Sequence, residues 1–368
     1  DVIHGYKTLA PIPLAEAASW DMETIENSAR IAADEAAAVG LNWTFAPMVD
    51  ISRDARWGRV MEGAGEDTYL GAKIAKARVK GFQGNDLAQP NTIAACAKHF
   101  AGYGFAEAGR DYNTADIGTS TLYNVVLPPF HAAVDADVKT VMNGFNILNG
   151  VPVTASSFLQ RDILKEKWGF DGFVISDWAS IMELVPHGYA KDLKHAAELA
   201  VNAGSDMDME ASAYVTHLVE NVKEGKVSED QIDDAVRRIL TVKFELGLFD
   251  DPYRYCDDSR QEERLYHEAH QAGVLEMAKK SIVLLKNEGN LLPIKKDQKK
   301  IAVIGELAND DNSPLGSWRI GSDNNTAVSV LEGLKKHTKN ITYAKGPKVF
   351  NSDANFITEV TVNETDSE

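Results

Sequence analysis

The chain has 368 residues, of which 44% are apolar and 25% charged, values ordinary for a soluble globular protein with ample material for a large core. That length exceeds one typical domain and is enough for a barrel of the (β/α)8 type plus part of a second unit. A formal net charge of −17 argues against nucleic-acid binding, which needs a basic face for phosphates, and no stretch approaches the roughly 20 apolar residues of a membrane span.

Asp1-Val-Ile-His-Gly5 reads as the end of a strand, so an upstream segment is expected; no signal peptide is visible. Short apolar runs then alternate with helical stretches as far as about residue 250, the rhythm of parallel strands joined by helical crossovers. The spacing predicts strands at Trp43 to Val49, Thr92 to Cys96, Val138 to Met142, Gly172 to Ile175 and Ala203 to Met207. It predicts helices at Met22 to Val39, Tyr69 to Phe82, Ser157 to Trp168 and Leu193 to Asn202. Ser228 to Leu246 is a further helix, and Gly247 to Arg264 is a polar connector. A helix over His267 to Leu284 follows, and Ile301 to Gly305 is a buried strand opening a second α/β unit. After about Lys345 the chain turns polar and irregular. The expected domains are 1–250, a barrel lacking its N-terminal part; 251–290, a linker with a connecting helix; and 291–368, the beginning of the second unit.

The predicted strands end in chemically capable residues: Asp50, Lys98 with His99, Asn143, Asp177, and Asp206 with Asp208. In a parallel barrel all carboxyl ends converge on one face, so these residues can share a pocket. Asp177, followed by Trp178, suits a sugar site: the carboxylate attacks the anomeric carbon and the indole stacks on sugar C–H groups. It equally suits a helix N-cap. Lys98 and His99 are donors for hydroxyls or partners in structural ion pairs, and Arg59 is a planar fork for vicinal hydroxyls or for Glu62, or a solvated surface charge. Asp206 and Asp208 share a face if extended, and either rivals Asp177 unless it caps or pairs.

Cys96 reads as a small buried hydrophobe and Cys256 as a loop residue, with no disulfide framework. The nine histidines include no His-Glu-x-x-His spacing, so no metal is expected. Glycines near Gly63 and Gly102 lack a strand-to-helix dinucleotide context, so no cofactor is expected either.

Taken in order, Asp1-Val-Ile-His-Gly5, Phe45-Ala-Pro-Met-Val-Asp50, Arg56-Trp-Gly-Arg59, Gly65-Glu-Asp-Thr-Tyr69, Lys98-His-Phe-Ala-Gly-Tyr-Gly104, Val141-Met-Asn-Gly-Phe145, Val174-Ile-Ser-Asp-Trp178 and Ala203-Gly-Ser-Asp-Met-Asp-Met209 resemble the motifs of glycoside hydrolase family 3 β-glucosidases. Ser281 to Asn287, Leu291 to Pro293 and Ile301 to Gly305 resemble the start of that family's second, α/β-sandwich domain. The resemblance implies a (β/α)8 barrel followed by the beginning of this sandwich. It implies a retaining, exo-acting β-D-glucosidase acting on terminal β-linked glucose of gluco-oligosaccharides. Asp177 becomes the nucleophile; Asp1, Arg59, Lys98 and His99 become ligands of the glycone hydroxyls; Met142 and Phe145 line that subsite, with Phe145 where many relatives have tyrosine; and Trp178 stands beside the leaving group. A periplasmic or secreted location is implied. A β-xylosidase and a sugar-binding but inactive fragment are the alternatives, and a barrel enzyme for phosphorylated substrates lacks its glycine-rich loop. The branch that removes N-acetylglucosamine carries a Gly-His-Gly sequence where this chain has Tyr103. The family's acid/base glutamate is expected beyond Glu368, since Glu306, Asp310, Asp311, Asp323, Glu332, Asp353, Glu359 and Glu364 stand in no similar loop.

Overall fold

The computed structural model describes residues 1–295 and 300–347. Asp353, Glu359, Glu364 and the irregular stretch expected at the end of the chain lie outside the described residues or nearly so. Contacts divide the chain into two compact units, Asp1–Val283 with Ser317–Ser322, and Leu284–Gly316 with the residues from Asp323 onward.

The first unit begins with helices that the local chemistry specifies. Asp21 caps α1 (Met22–Ala38) by accepting the Thr24 amide at 3.0 Å, and Asp67 caps α2 (Thr68–Gln83) by accepting the Leu70 amide at 2.7 Å. The alanine-rich face of α1 lets α2 approach closely, and at Gly81 a Cβ would stand only 2.4 Å from the Glu26 carbonyl. Behind them lies a three-stranded parallel sheet of β1 (Cys96–Phe100), β2 (Thr140–Asn143) and β3 (Phe173–Ile175), in the order β1-β2-β3. Its register pairs Lys98 with Met142 and Met142 with Ile175. Isolated parallel bridges extend the array on both sides: Trp43 with Ala94, Met48 with Lys98, and Ile175 with Met207. Five parallel segments therefore run side by side, with their carboxyl ends on one edge. The strands are fully buried, as expected of parallel strands covered on both faces by helices.

Two expectations change in the first unit. The run predicted as a strand over Thr92 to Cys96 instead pairs over Cys96–Phe100, because Lys98 and His99 find buried partners and stay in the ladder. The stretch 247–264, read as a polar connector, is folded on the first unit: it includes the helix Asp258–Arg264, and Tyr255 is buried, its hydroxyl donating to the Thr92 carbonyl at 3.1 Å.

The second unit holds a two-stranded parallel sheet of β4 (Ile301–Ile304) and β5 (Ile341–Ala344). The expected strand at Ile301 is present, but it is not buried. Only Val303 is enclosed, and Ile304 is 70% exposed, because a strand with one neighbour has little to cover it. The sheets are thus small, and the chain is of mixed α/β type.

Candidate active site

The carboxyl edge of the parallel array opens into a cavity of about 700 Å³, within the range of a small-molecule site. Its lining includes Asp1, Arg59, Lys98, Met142, Phe145, Asp177 and Trp178, so seven of the eight site residues expected from the sequence meet there. The eighth, His99, lies directly behind Asp177, with Nε2 at 3.5 Å from Asp177 Oδ2.

Each polar group is held by the fold. Lys98, in β1, donates to Asp1 Oδ2 at 2.8 Å. Arg59 makes a forked contact with Glu62, Nε to Oε1 at 2.6 Å and Nη2 to Oε2 at 2.9 Å, and the Glu62 side chain is wholly buried. Asp177 follows β3 by two residues. Its Oδ1 accepts the Trp178 amide at 2.7 Å, while Oδ2 is buried without a hydrogen-bond partner. Burial raises the Asp177 carboxyl above its ordinary range, opposed by the Trp178 amide and by the charges of Lys98 and Arg59. The Lys98 ammonium is lowered, first by burial and then by the neighbouring Arg59. His99 is buried, with Nδ1 at 2.8 Å from Asp50 Oδ2.

Phe145 and Met142 form an apolar wall, and Tyr112 packs on Phe145 with ring centroids 4.4 Å apart. Trp178 is 62% exposed at the mouth. Arg59 and Lys98 lie 5.8 Å and 5.9 Å from the ring centroid of Trp318, which also lines the cavity. Neither Tyr112 nor Trp318 is marked by local pattern: Tyr112 sits in an irregular loop at φ 62°, and Trp318 lies more than 130 residues beyond Trp178 in a polar stretch.

The rival carboxylates lie outside this cavity and have structural partners, although Asp208 Oδ1 is buried without one. Asp206 pairs with Lys165 at 2.6 Å and accepts the Val174 amide, and Asp208 accepts the amides of Ala213 and Tyr214 at the start of a helix. Among the described residues no three His, Cys, Asp or Glu side chains are grouped to hold a metal ion.

A cavity of this size with a carboxylate on its floor, two cations beside it and indoles at its rim is the kind of site that holds a polar, ring-shaped ligand such as a sugar. The chain belongs to glycosyl hydrolase family 3: residues 1–242 match the family's N-terminal domain and residues 282–368 its C-terminal domain. It is 42% identical over 361 residues to a periplasmic beta-glucosidase of Salmonella typhimurium, covering 95% of this chain and 46% of that protein. It is 38% identical over 364 residues to a beta-xylosidase of Formosa agariphila, covering 93% of this chain and 50% of that protein. Among solved structures, the beta-glucosidase of Listeria innocua in complex with glucose superposes with a TM-score of 0.91 at 41% identity, covering 96% of this chain and 49% of that one. The chain therefore spans about half the length of these relatives.

Proposed function

We propose that the protein is a retaining, exo-acting β-D-glucosidase that releases the terminal non-reducing glucose of β-linked gluco-oligosaccharides or β-glucosides, with Asp177 as nucleophile. The observation that carries this reading is the state of Asp177, which lines the cavity while its Oδ2 has no hydrogen-bond partner and no lysine or arginine is in direct contact with the carboxylate. An oxygen held this way is available to form a bond to an anomeric carbon.

In the first displacement Asp177 Oδ2 bonds to the anomeric carbon as the bond to the leaving oxygen breaks; in the second, water attacks the same carbon and returns the carboxylate. Asp1, Arg59, Lys98 and His99 hold the glycone hydroxyls, with Met142 and Phe145 against the ring and Trp178 beside the leaving group. The name of the Salmonella relative and the glucose complex of the Listeria enzyme support glucose as the glycone. The first of these also supports a periplasmic location, and no described helix is long and apolar enough to cross a membrane. The five parallel segments support reading residues 1–250 as part of a (β/α)8-type barrel, and the match of residues 282–368 to the family's C-terminal domain supports reading 291–368 as the start of an α/β sandwich, whereas residues 251–283 belong with the first compact unit.

A 2-deoxy-2-fluoro glucoside with a dinitrophenolate leaving group tests the assignment. Fluorine slows both steps by destabilising the oxocarbenium-like transition state, while the activated leaving group departs without general acid help and preserves the first. A covalent adduct mapped to Asp177 is the expected result; an adduct on Asp208 or Glu210 refutes it. The β-xylosidase reading is favoured by the Formosa relative, and a ratio of aryl xyloside to aryl glucoside hydrolysis above one would select it.

A further inference from the structure

Asp50 stands outside the cavity lining, and its side chain is hydrogen-bonded to His99. The His99 backbone N–H donates to Asp50 Oδ2 at 2.7 Å, and the same oxygen lies 2.8 Å from ring Nδ1. Both side chains are buried, and Tyr103 meets the imidazole edge-on with centroids 5.1 Å apart, which fixes the ring plane. On the opposite side of the ring, Nε2 has no hydrogen-bond partner and faces Asp177 Oδ2.

A backbone N–H only donates, so Asp50 Oδ2 acts as an acceptor toward residue 99, and its second lone pair is directed at the ring. A neutral imidazole carries one N–H. We infer that Asp50 is a positioning residue that fixes His99 in the tautomer protonated at Nδ1, so that Nε2 is presented beside Asp177 as a hydrogen-bond acceptor.

Burial, with the charges of Arg59 and Lys98, drives the His99 ring well below its ordinary value and keeps it neutral. Burial also raises the Asp50 carboxyl to about 7, against the pull of the His99 amide, so Asp50 is an anion above that pH. The titratable and charged groups around the ring are then Asp50, Asp177, Arg59, Lys98 and Tyr103. With Nδ1 committed to Asp50, Nε2 and Asp177 Oδ2 are two acceptors side by side, and the group that satisfies Nε2 is a donor from outside.

This step rests on the glycosidase reading: the donor is a glycone hydroxyl, which donates a hydrogen bond to His99 Nε2 and keeps its lone pairs for the cations of the site. His99 therefore discriminates by donor capacity. A sugar carrying fluorine in place of that hydroxyl retains an acceptor and loses the interaction.

The test is long-range proton–nitrogen NMR on the whole chain labelled with 15N-histidine at pH 8, with His99 assigned by its loss in His99→Gln. The expected spectrum shows a protonated Nδ1 and an unprotonated Nε2. A proton on Nε2, or on both nitrogens, overturns the inference. Asp50→Leu should move the proton to Nε2 and weaken glucose binding about three- to tenfold, the loss of one hydrogen bond. Asp50→Asn, whose amide oxygen still accepts from both groups, should keep the proton at Nδ1. An unchanged tautomer in a folded Asp50→Leu variant also overturns the inference, and if that variant does not fold the wild-type spectrum decides alone. A protonated Nδ1 in a chain that fails to bind glucose leaves the tautomer assignment standing and removes the glycosidase reading instead.

Discussion

Glu62→Leu should be among the most damaging single substitutions near the cavity, because it strands a cation. Arg59 is only 16% exposed at its side chain, and both of its forked bonds, at 2.6 and 2.9 Å, end on the wholly buried Glu62. Hydrogen bonds to charged groups contribute about 1.5–3 kcal/mol each, and breaking a buried pair from one side costs about 3–5 kcal/mol because the remaining charge is left uncompensated. Asp177 also attracts Arg59 and returns part of that, so about 3 kcal/mol is expected. The double variant with Arg59→Leu, which has two leucines and no buried charge, should be more stable than Glu62→Leu alone, with a coupling of about 2 kcal/mol. Urea denaturation followed by circular dichroism closes the cycle. Additivity within about 0.5 kcal/mol would refute the argument that Arg59 depends on Glu62.

Two further outcomes follow from the titrating groups. Burial works against the His270 ring, but its bonds to Asp34 and Glu35 outweigh that and raise it to about 9. A group whose folded value is raised contributes stability that is complete below its unfolded value near 6.5 and is lost as pH climbs through 9. The denaturation midpoint should therefore fall between about pH 6.5 and 9, and more steeply than in His270→Gln; equal slopes refute the pairing. Glu183 is held at about 7, first by burial and then by the charge of Asp177. Asp177→Asn should lower it part of the way toward the ordinary range in a carboxyl carbon NMR titration, and an unmoved value would show that the two groups do not sense each other.

Helices were legible in the sequence because their determinants are local. Met22 to Val39 is marked by Asp21 ahead of an apolar period of 3.6, and the helix runs Met22–Ala38. The strand ends were harder to place. Lys98 and His99 look like residues that leave a strand, yet they lie within β1, because Asp1 and Asp50, distant in sequence, supply their buried partners. The rule that polar residues at strand ends form the site also gave Asp206 and Asp208 the same standing as Asp177. Only the fold shows that Lys165 takes up Asp206, that Asp208 Oδ2 receives two helix-start amides, and that Asp177 alone of the three lines the cavity. Tyr112 and Trp318 were invisible for another reason: they reach the cavity from irregular segments, where neither period nor spacing carries information.

With Asp177 as the proposed nucleophile, the charges around the cavity give a reason why that carboxylate and not Asp1 or Glu62 would be the one available for chemistry. Asp1 is paired with Lys98 and Glu62 with Arg59, so each of these acids is neutralised by a cation in direct contact. Asp177 receives the same two cations only at longer range, through their fields, and its direct partner is a single backbone amide on Oδ1. A direct salt bridge would stabilise the anion of Asp177 and spend the lone pairs of Oδ2, which must form the new bond. A site without nearby cations would leave a buried carboxylate protonated and unable to attack. Committing each cation to another acid, while keeping both beside the cavity, meets the two requirements together. Asp1 and Glu62 therefore matter to the proposed nucleophile even though neither is paired with it: they determine that Lys98 and Arg59 act on Asp177 as a field and not as a bond.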